Sequence, residues 1–301
     1  MMVKLEKITK SIGSKEHRTI YEFFDKTPES IICPHFWMLK FGYGCNFNCS
    51  YCYLRGTLHG QMNPWFRTEK EILDSTNDFF EKMKNQVLVN SGEITDSLVN
   101  IPLMEKIVDR YEEQNKHKIL LLTKGSNVDF LTKKPRKQTI VSFSLNAPSV
   151  SKKWELNSPS PLERVNAGKK VFDEGYEVRV RIDPIFPING WRKDYSEFVD
   201  KLLSKFQPTR ITLGTPRGLQ KTRIFSKDRS WWKCAFEDNP SEDTGWGKKI
   251  ELSLRKEIYQ LIIDKTKETG YKGYISMCKE TPELWNELNM DYKKCKCNCV
   301  I

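Results

Sequence analysis

Short apolar runs alternate with amphipathic helical patterns along most of this chain. Between the apolar runs, apolar residues recur at helical spacing, as after Thr68, where Thr68 and Glu71 form a capping box. This alternation predicts right-handed βαβ units and a parallel sheet. We therefore predict an α/β fold, an open (β/α)6 partial TIM barrel. Its six strands are expected at residues 36–41, 87–90, 118–124, 139–146, 178–185 and 210–215.

The two ends of the chain depart from this alternation. Near the start, Tyr21-Glu22-Phe23-Phe24 favours a helix, and Met1 to Lys15 lacks the continuous apolar stretch of a signal peptide. After residue 230 a polar loop precedes a helix–strand–helix pattern that predicts an α+β extension. We therefore expect three parts: a lead-in at 1–35, the barrel at 36–230 and a cysteine-bearing C-terminal extension at 231–301.

Composition narrows the possible partners and compartment. The 301 residues include 50 Lys and Arg against 39 Asp and Glu, a formal charge of +11, which favours a polyanionic partner such as DNA. An ordinary lysine-rich surface is the alternative. Nine cysteines, most of them clustered, favour metal binding in a reducing cytoplasm over a disulfide framework. With no run of about 18 apolar residues, we expect no membrane span.

The candidate chemistry centres on a loop that follows the first predicted strand. Cys45, Cys49 and Cys52 are spaced C-x3-C-x2-C and can offer three thiolates to one metal centre. Soft thiolates suit zinc, copper(I) and iron–sulfur clusters, and structural zinc usually takes four protein ligands. Three ligands leave one iron of a four-iron cluster open to an outside molecule. Free or zinc-bound cysteines are the alternative.

The segment Cys49-Ser50-Tyr51-Cys52-Tyr53-Leu54 resembles the cluster loop of radical S-adenosylmethionine (SAM) enzymes, in particular the spore photoproduct lyase family. The resemblance implies a [4Fe–4S] cluster on Cys45, Cys49 and Cys52, with SAM on the open iron. It also implies an enzyme of lyase or isomerase type that cleaves SAM to a 5′-deoxyadenosyl radical, and an electron donor of the flavodoxin or ferredoxin type.

The same resemblance implies SAM contacts at the ends of the predicted strands. Ser91-Gly92-Glu93 matches the motif that binds the amino group of SAM, and Lys124 matches a contact to its carboxylate. Ser144 matches a contact to the nucleoside or methionyl part, and Thr95 a further hydroxyl contact. Arg181 is a further candidate contact to the SAM carboxylate, on the basis of its position and charge alone. The alternative for each residue is a solvated strand end.

The resemblance extends over about residues 36–220 and is most specific at 140–218, but one feature departs from it. Photoproduct lyases carry a cysteine after the second strand that returns a hydrogen atom to the product radical, and residues 90–98 contain none. Tyr51 and Tyr53 match tyrosines of the lyases' radical relay. We therefore expect an outcome other than ordinary photoproduct repair, with Tyr53 quenching the product radical.

The remaining cysteines allow several interpretations. Cys278, Cys295, Cys297 and Cys299 form a second iron–sulfur cluster or zinc site, supply the missing hydrogen donor, or belong to a plain structural tail. Cys33 stands alone in the sequence and favours a buried structural role, and so does Cys234.

Three functions of different classes follow from these observations. The first is a radical SAM enzyme acting on a nucleobase in DNA, supported by aromatic residues interleaved with bases at 65–67, 191–193 and 229–233. The second is a radical SAM enzyme acting on a small molecule or peptide. The third is a non-enzymatic metal-binding protein, which would have no need of the predicted SAM contacts.

Overall fold

The computed structural model describes residues 11–12 and 19–301, so the expectation for Met1 to Lys15 lies outside the described residues, apart from the backbone of 11–12.

The strands in the described part are β1 (Ser11–Ile12), β2 (Tyr21–Phe24), β3 (Phe36–Leu39), β4 (Gly42–Tyr43), β5 (Asn48–Cys49), β6 (Trp65–Phe66), β7 (Leu88–Asn90), β8 (Lys118–Thr123), β9 (Thr139–Leu145), β10 (Glu155–Leu156), β11 (Glu177–Ile182), β12 (Arg210–Leu213), β13 (Ser241–Asp243), β14 (Lys248–Ile250) and β15 (Tyr274–Met277). The helices there are α1 (Leu54–Thr57), α2 (Glu69–Lys82), α3 (Ile101–Gln114), α4 (Asp129–Lys133), α5 (Pro148–Trp154), α6 (Pro161–Asp173), α7 (Trp191–Leu203), α8 (Gln220–Phe225), α9 (Ser230–Phe236), α10 (Leu252–Glu268) and α11 (Pro282–Glu287), with a 3-10 turn at Tyr292–Lys294.

One large sheet organises the fold, in the order β1-β2-β3-β7-β8-β9-β11-β12-β15. The strands from β3 to β15 run parallel to one another, and β1 and β2 add an antiparallel edge. The six predicted strands are confirmed as β3, β7, β8, β9, β11 and β12. Among the described strands, β1 and β15 do not pair with each other, so the barrel is open as predicted.

One local expectation needs correction, and the sheet is one parallel strand wider than the six predicted. Tyr21–Phe24 forms β2 rather than a helix, because it pairs antiparallel with β3 and its aromatic rings stack across the pair. Phe24 lies 5.2 Å from Phe36 between ring centroids, and Phe23 lies 5.3 Å from Trp37, which are contacts that favour a strand. In addition, β15 pairs parallel with β12, so the sheet has a seventh parallel strand that comes from the predicted extension.

The two faces of the sheet differ in chemistry because side chains alternate along each strand. On one face, Val89, Ile119, Leu121, Val141 and Val180 pack into the main core with the helices. The opposite face, which we call the inner face, is polar over much of its length. It carries Asn90, Ser142, Ser144, Arg179, Arg181, Arg210 and Thr212.

Residues 295–301, which we call the C-terminal tail, lie on this inner face. The Arg179 guanidinium donates to the carbonyls of Asn298 and Val300 at 2.6 and 2.7 Å. Arg210 donates to the Val300 carbonyl at 2.7 Å and to that of Cys297 at 3.1 Å, and the Ser142 hydroxyl donates to Asn298 Oδ1 at 2.7 Å. The tail therefore satisfies polar groups that the strands would otherwise bury unpaired.

A buried ionic network joins residues beyond 230 to the end of β12. Glu280 Oε1 accepts hydrogen bonds from Thr215 at 2.9 Å, Lys249 at 3.0 Å and Tyr259 at 2.7 Å, while Oε2 accepts from Arg255 at 2.5 Å. A carboxylate with this many donors can stay ionised inside the protein. None of the described helices is both long and apolar enough to cross a membrane.

Candidate active site

The cysteine loop leaves the carboxyl end of β3 through a tight turn. Gly44 has a φ of +81°, and a Cβ there would lie 2.7 Å from the Met62 carbonyl oxygen, so the turn requires glycine. The Cys45 amide donates to that same carbonyl at 2.9 Å. Cys49 is held at the other end, where the Arg55 Nε donates to its carbonyl at 2.9 Å. The loop is thus fixed by backbone contacts.

The three loop thiols lie close enough to influence one another. Burial raises the pKa of Cys49 to about 12, while Lys124 opposes this shift and the Cys52 thiol adds to it. Burial likewise raises the pKa values of Cys45 and Cys52, and Lys124 again opposes the shift at Cys52. In the described part of the chain, no set of three His, Cys, Asp or Glu side chains is arranged to hold a single metal ion. The loop therefore presents neighbouring thiols rather than a closed one-ion site.

The segment after β7 lies directly against this loop. Glu93 Oε1 accepts from Asn90 Nδ2 at 2.9 Å, and Glu93 Oε2 accepts from the Tyr53 hydroxyl at 3.1 Å. The Tyr53 hydroxyl also donates to the Glu93 carbonyl. A Cβ on Gly92 would lie 2.4 Å from the Leu122 carbonyl oxygen, so the chain can pass here only as glycine. Gly92, Glu93 and Tyr53 are therefore brought together.

Lys124 and Tyr51 meet through a carboxylate that the sequence analysis missed. The Tyr51 hydroxyl donates to Glu155 Oε1, and Lys124 Nζ lies 3.8 Å from the same oxygen. Arg164 pairs with the other oxygen of Glu155. Burial alone would raise the pKa of Glu155, but Lys124 and Arg164 hold it below its ordinary value. Neither Glu155 nor Arg164 was among the site residues predicted from the sequence.

The other expected contacts lie around this centre. Ser144 and Arg181 are side by side on β9 and β11. Arg181 donates to Asp183 and, at 3.4 Å, to the Cys278 sulfur, so it is already paired. The Thr95 hydroxyl is buried and has no hydrogen-bond partner among the described residues.

Asp96 is a second residue that the sequence analysis missed. It accepts from the Lys124 amide and from the Thr123 hydroxyl, both at 2.6 Å, and so fixes the end of β8. Burial raises the pKa of Asp96, and these hydrogen bonds oppose that shift. Its signal in the sequence was only its position one residue after Thr95.

These residues fit an iron–sulfur cluster with SAM. Three neighbouring thiols supply the donors that iron–sulfur clusters prefer. Gly92 lets the backbone pass close against β8, and the unpartnered Thr95 hydroxyl in the same segment offers a polar contact. Cys45, Cys49 and Cys52 would hold the cluster, and the strand ends around them would hold SAM.

An open, mostly parallel sheet with a three-cysteine loop beyond its first parallel strand defines a radical SAM protein. The chain belongs to the spore photoproduct lyase family, whose family model matches residues 32–214. It is 29% identical to the spore photoproduct lyase of Bacillus subtilis in an alignment of 173 residues that covers 54% of this chain and 50% of that protein. The chain thus spans about half the length of the curated relatives it matches.

Solved structures show the same fold. Spore photoproduct lyase complexed with dinucleoside spore photoproduct superposes with a TM-score of 0.69 at 19% identity, covering 85% of this chain and 79% of that one. A double mutant of that lyase with bound AdoMet and dinucleoside spore photoproduct gives a TM-score of 0.67 at 19% identity, over 84% and 78% of the two chains. At this identity the likeness concerns the fold alone.

Proposed function

We propose that this chain is a radical SAM enzyme, of lyase or isomerase type, that acts on a thymine lesion or another base in DNA. The observation that carries the proposal is the three-cysteine loop held against Glu93 through Tyr53, in a member of the spore photoproduct lyase family. When bound, the [4Fe–4S] cluster and SAM supply a 5′-deoxyadenosyl radical, formed by one-electron cleavage of SAM, which removes a hydrogen atom from the substrate.

The chain's own residues would orient SAM. Glu93 would accept from its ammonium group while Asn90 holds the Glu93 carboxylate in place at 2.9 Å. Lys124 would meet the SAM carboxylate, and Arg164 would keep Glu155 paired when Lys124 turns toward SAM. Thr95 and Ser144 would contribute hydroxyl contacts, and Arg181 a charge at the neighbouring strand end.

Two groups compete to return hydrogen to the product radical. Tyr53 adjoins the loop, as expected from the sequence. The tail adds a second candidate, because the Cys299 sulfur accepts from Asn90 Nδ2 at 3.5 Å. Asn90 thus links the Cys299 thiol to Glu93 and, through it, to Tyr53. This thiol fills the role for which residues 90–98 offer no cysteine, so repair of a thymine lesion becomes the favoured reaction.

We infer that Cys299 is the donor and Tyr53 its regenerator. The S–H bond of Cys299 breaks, the product radical gains the hydrogen atom, and a thiyl radical stays on Cys299. The Tyr53 hydroxyl then returns a hydrogen atom to the sulfur. An electron from a flavodoxin- or ferredoxin-type donor, with one proton, restores Tyr53. With Cys299→Ser we expect substrate consumption with altered products, and with Tyr53→Phe we expect normal first-turnover products and few turnovers. Normal products from Cys299→Ser would overturn this assignment.

DNA is supported as the substrate by charge and by one exposed aromatic pair. Trp65 is 41% exposed, its ring stacks on Tyr43 at 4.9 Å and it lies under the Arg67 guanidinium at 6.0 Å. It belongs to the antiparallel pair of β4 and β6, which flank the cysteine loop in the chain. By contrast, Trp191, Trp231 and Trp232 are buried, so the other two aromatic–basic segments form core. Base stacking is worth about 1–3 kcal/mol per base.

The first experiment tests the radical chemistry. Anaerobically reconstituted protein should be brown and, with dithionite, should convert SAM to 5′-deoxyadenosine. The reaction should then be run with ultraviolet-irradiated and undamaged thymine-rich DNA, followed by mass analysis of the nucleosides. Cys49→Ala should abolish SAM cleavage, and full activity in that variant would refute the proposal.

The second experiment tests the substrate. Binding of thymine-rich DNA, followed by fluorescence anisotropy, should weaken steeply as salt rises. Trp65→Ala should weaken it by about 5- to 150-fold, whereas Phe172→Ala removes an exposed ring from α6 and should not. SAM cleavage without DNA affinity at low salt would support the second candidate, a radical SAM enzyme on a small molecule or peptide. Metal binding without SAM cleavage would support the third candidate, a non-enzymatic metal-binding protein.

A further inference from the structure

Five cysteines outside the loop come together from three distant parts of the chain. The Ile32 amide donates to the Glu280 carbonyl at 2.8 Å, which brings the Cys33 segment beside the Cys278 segment at the end of β15. The tail adds Cys295, Cys297 and Cys299 from the inner face. We call these five residues the second cysteine group; all five are free thiols.

The thiols of this group are near neighbours. Burial raises the pKa of Cys33 to about 12, with further contributions from the thiols of Cys278 and Cys299. A hydrogen bond with Cys297 lowers the pKa of Cys295, and Cys297 is also hydrogen-bonded to Cys299. Cys278 acts electrostatically on both Cys295 and Cys297. The packing agrees, because Cys33 and the tail cysteines share one apolar cluster and the pairing of Ile32 with Glu280 brings the Cys278 segment beside it.

The surroundings of this group suit a metal–thiolate centre. Phe36 and Met38 pack against Cys297 and Cys299 in a cluster separate from the main core, with Cys33 and Cys295 at its margin. Cationic groups lie against Cys278: Arg181 donates to its sulfur at 3.4 Å, and Arg217 to its carbonyl at 3.3 Å. Both guanidinium groups also pair with Asp183, and the net positive charge of these three groups would partly offset that of coordinating thiolates.

We propose that Cys33, Cys278, Cys295 and Cys297 bind a second iron–sulfur cluster, separate from the one on the cysteine loop. Four thiolates complete the ligand set of such a cluster, and soft sulfur donors select it or zinc. In the described residues, no three His, Cys, Asp or Glu side chains are close enough together to bind a single metal ion. A four-iron cluster is wider than one ion, so its four sulfur ligands lie further apart. Cys299 is left out because its sulfur contacts Asn90.

The test removes the loop site first, so that the proposal stands or falls independently of SAM chemistry. A variant with Cys45, Cys49 and Cys52 all changed to Ala is reconstituted anaerobically with iron and sulfide. It should stay brown and retain about four iron and four sulfide per chain, against about eight of each in the unchanged protein. Loss of all iron from this variant, or stoichiometric zinc in place of iron, would overturn the proposal.

Single changes in that background then assign the ligands. Cys33→Ser and Cys278→Ser should lose the remaining iron. Cys299→Ser should keep it, and so should Cys234→Ser, a half-buried cysteine outside both groups. Iron loss from Cys299→Ser, or iron retention in Cys33→Ser, would refute the ligand assignment. Far-ultraviolet circular dichroism separates ligand loss from unfolding. The iron count of the loop variant tests the proposal without altering any residue of the second cysteine group.

Discussion

Replacing Lys124 by Ala separates a SAM contact from a structural ion pair. The Lys124 side chain is 16% exposed, and its amine lies 3.8 Å from Glu155 Oε1 and 5.8 Å from the centroid of the Tyr51 ring. Arg164 holds the other oxygen of Glu155, and Tyr51 donates to the first. Because Glu155 stays paired without Lys124, we expect the free energy of unfolding to fall by only about 1 kcal/mol.

The effect on SAM should be larger. A charge-assisted hydrogen bond is worth about 1.5–3 kcal/mol, which corresponds to about 10- to 150-fold in dissociation constant. Isothermal titration of SAM into anaerobically reconstituted protein measures this change, and urea unfolding measures stability in the same samples.

The chain provides a matched control on the same strand. Lys118 begins β8, is also partly exposed and lies 3.9 Å from Glu177 Oε2, in an ion pair like that of Lys124. Lys118→Ala should leave SAM affinity unchanged. Unchanged SAM affinity in Lys124→Ala, or an equal loss in both variants, would show that Lys124 does not contact SAM.

Three further outcomes follow from packing and charge. Gly92→Ala would place a Cβ 2.4 Å from the Leu122 carbonyl oxygen, so it should cost about 1–3 kcal/mol in urea unfolding and weaken SAM binding. Glu280→Gln should cost about 3–5 kcal/mol because it leaves Lys249 and Arg255 buried without their counter-charge. Burial alone would raise the pKa of Glu280, but the effect of Lys249 and Arg255 outweighs burial and holds this pKa below its ordinary value. Its stabilising effect is therefore full above its unfolded pKa of about 4.3 and lost as pH falls, so Glu280→Gln should flatten the acid limb of the stability curve below about pH 5.

Two controls limit these interpretations. Gly190→Ala introduces a methyl group with no atom within 4 Å, at a φ of +76°, so it reports backbone strain without a clash and should leave SAM binding unchanged. Glu287→Gln breaks an exposed pair with Lys256 and should change stability by less than about 1 kcal/mol. Equal losses in Glu280→Gln and Glu287→Gln would contradict the buried network's role.

The sequence predicted the parts of this molecule that depend on local periodicity. Buried parallel strands are short apolar runs, so the six strands β3, β7, β8, β9, β11 and β12 could be recognised from the sequence pattern. The capping box predicted at Thr68 is formed, because its partner Glu71 lies three residues away. The cysteine loop is equally local.

What the sequence missed depends on contacts between distant segments. Glu155 follows a short helix and carries no motif, yet it joins Lys124, Tyr51 and Arg164. Cys33 looked isolated because its neighbour, Cys278, is reached only through the pairing of Ile32 with Glu280. Tyr21–Phe24 was misread because its partner strand, not its own periodicity, decides its conformation.

The tail shows why position in space matters more than position in the chain for the reaction. Residues 90–98 contain no cysteine, which argues against ordinary repair if the hydrogen donor must come from that segment. A donor from another segment removes this objection. Asn90 lies within that segment, and its amide contacts both Glu93 and the Cys299 sulfur. Arg179 and Arg210 fix the tail that carries Cys299 through four carbonyl contacts, so the thiol is held by rigid strands rather than by a loose terminus. A hydrogen donor supplied from the far end of the chain can thus be positioned as firmly as one next to Glu93.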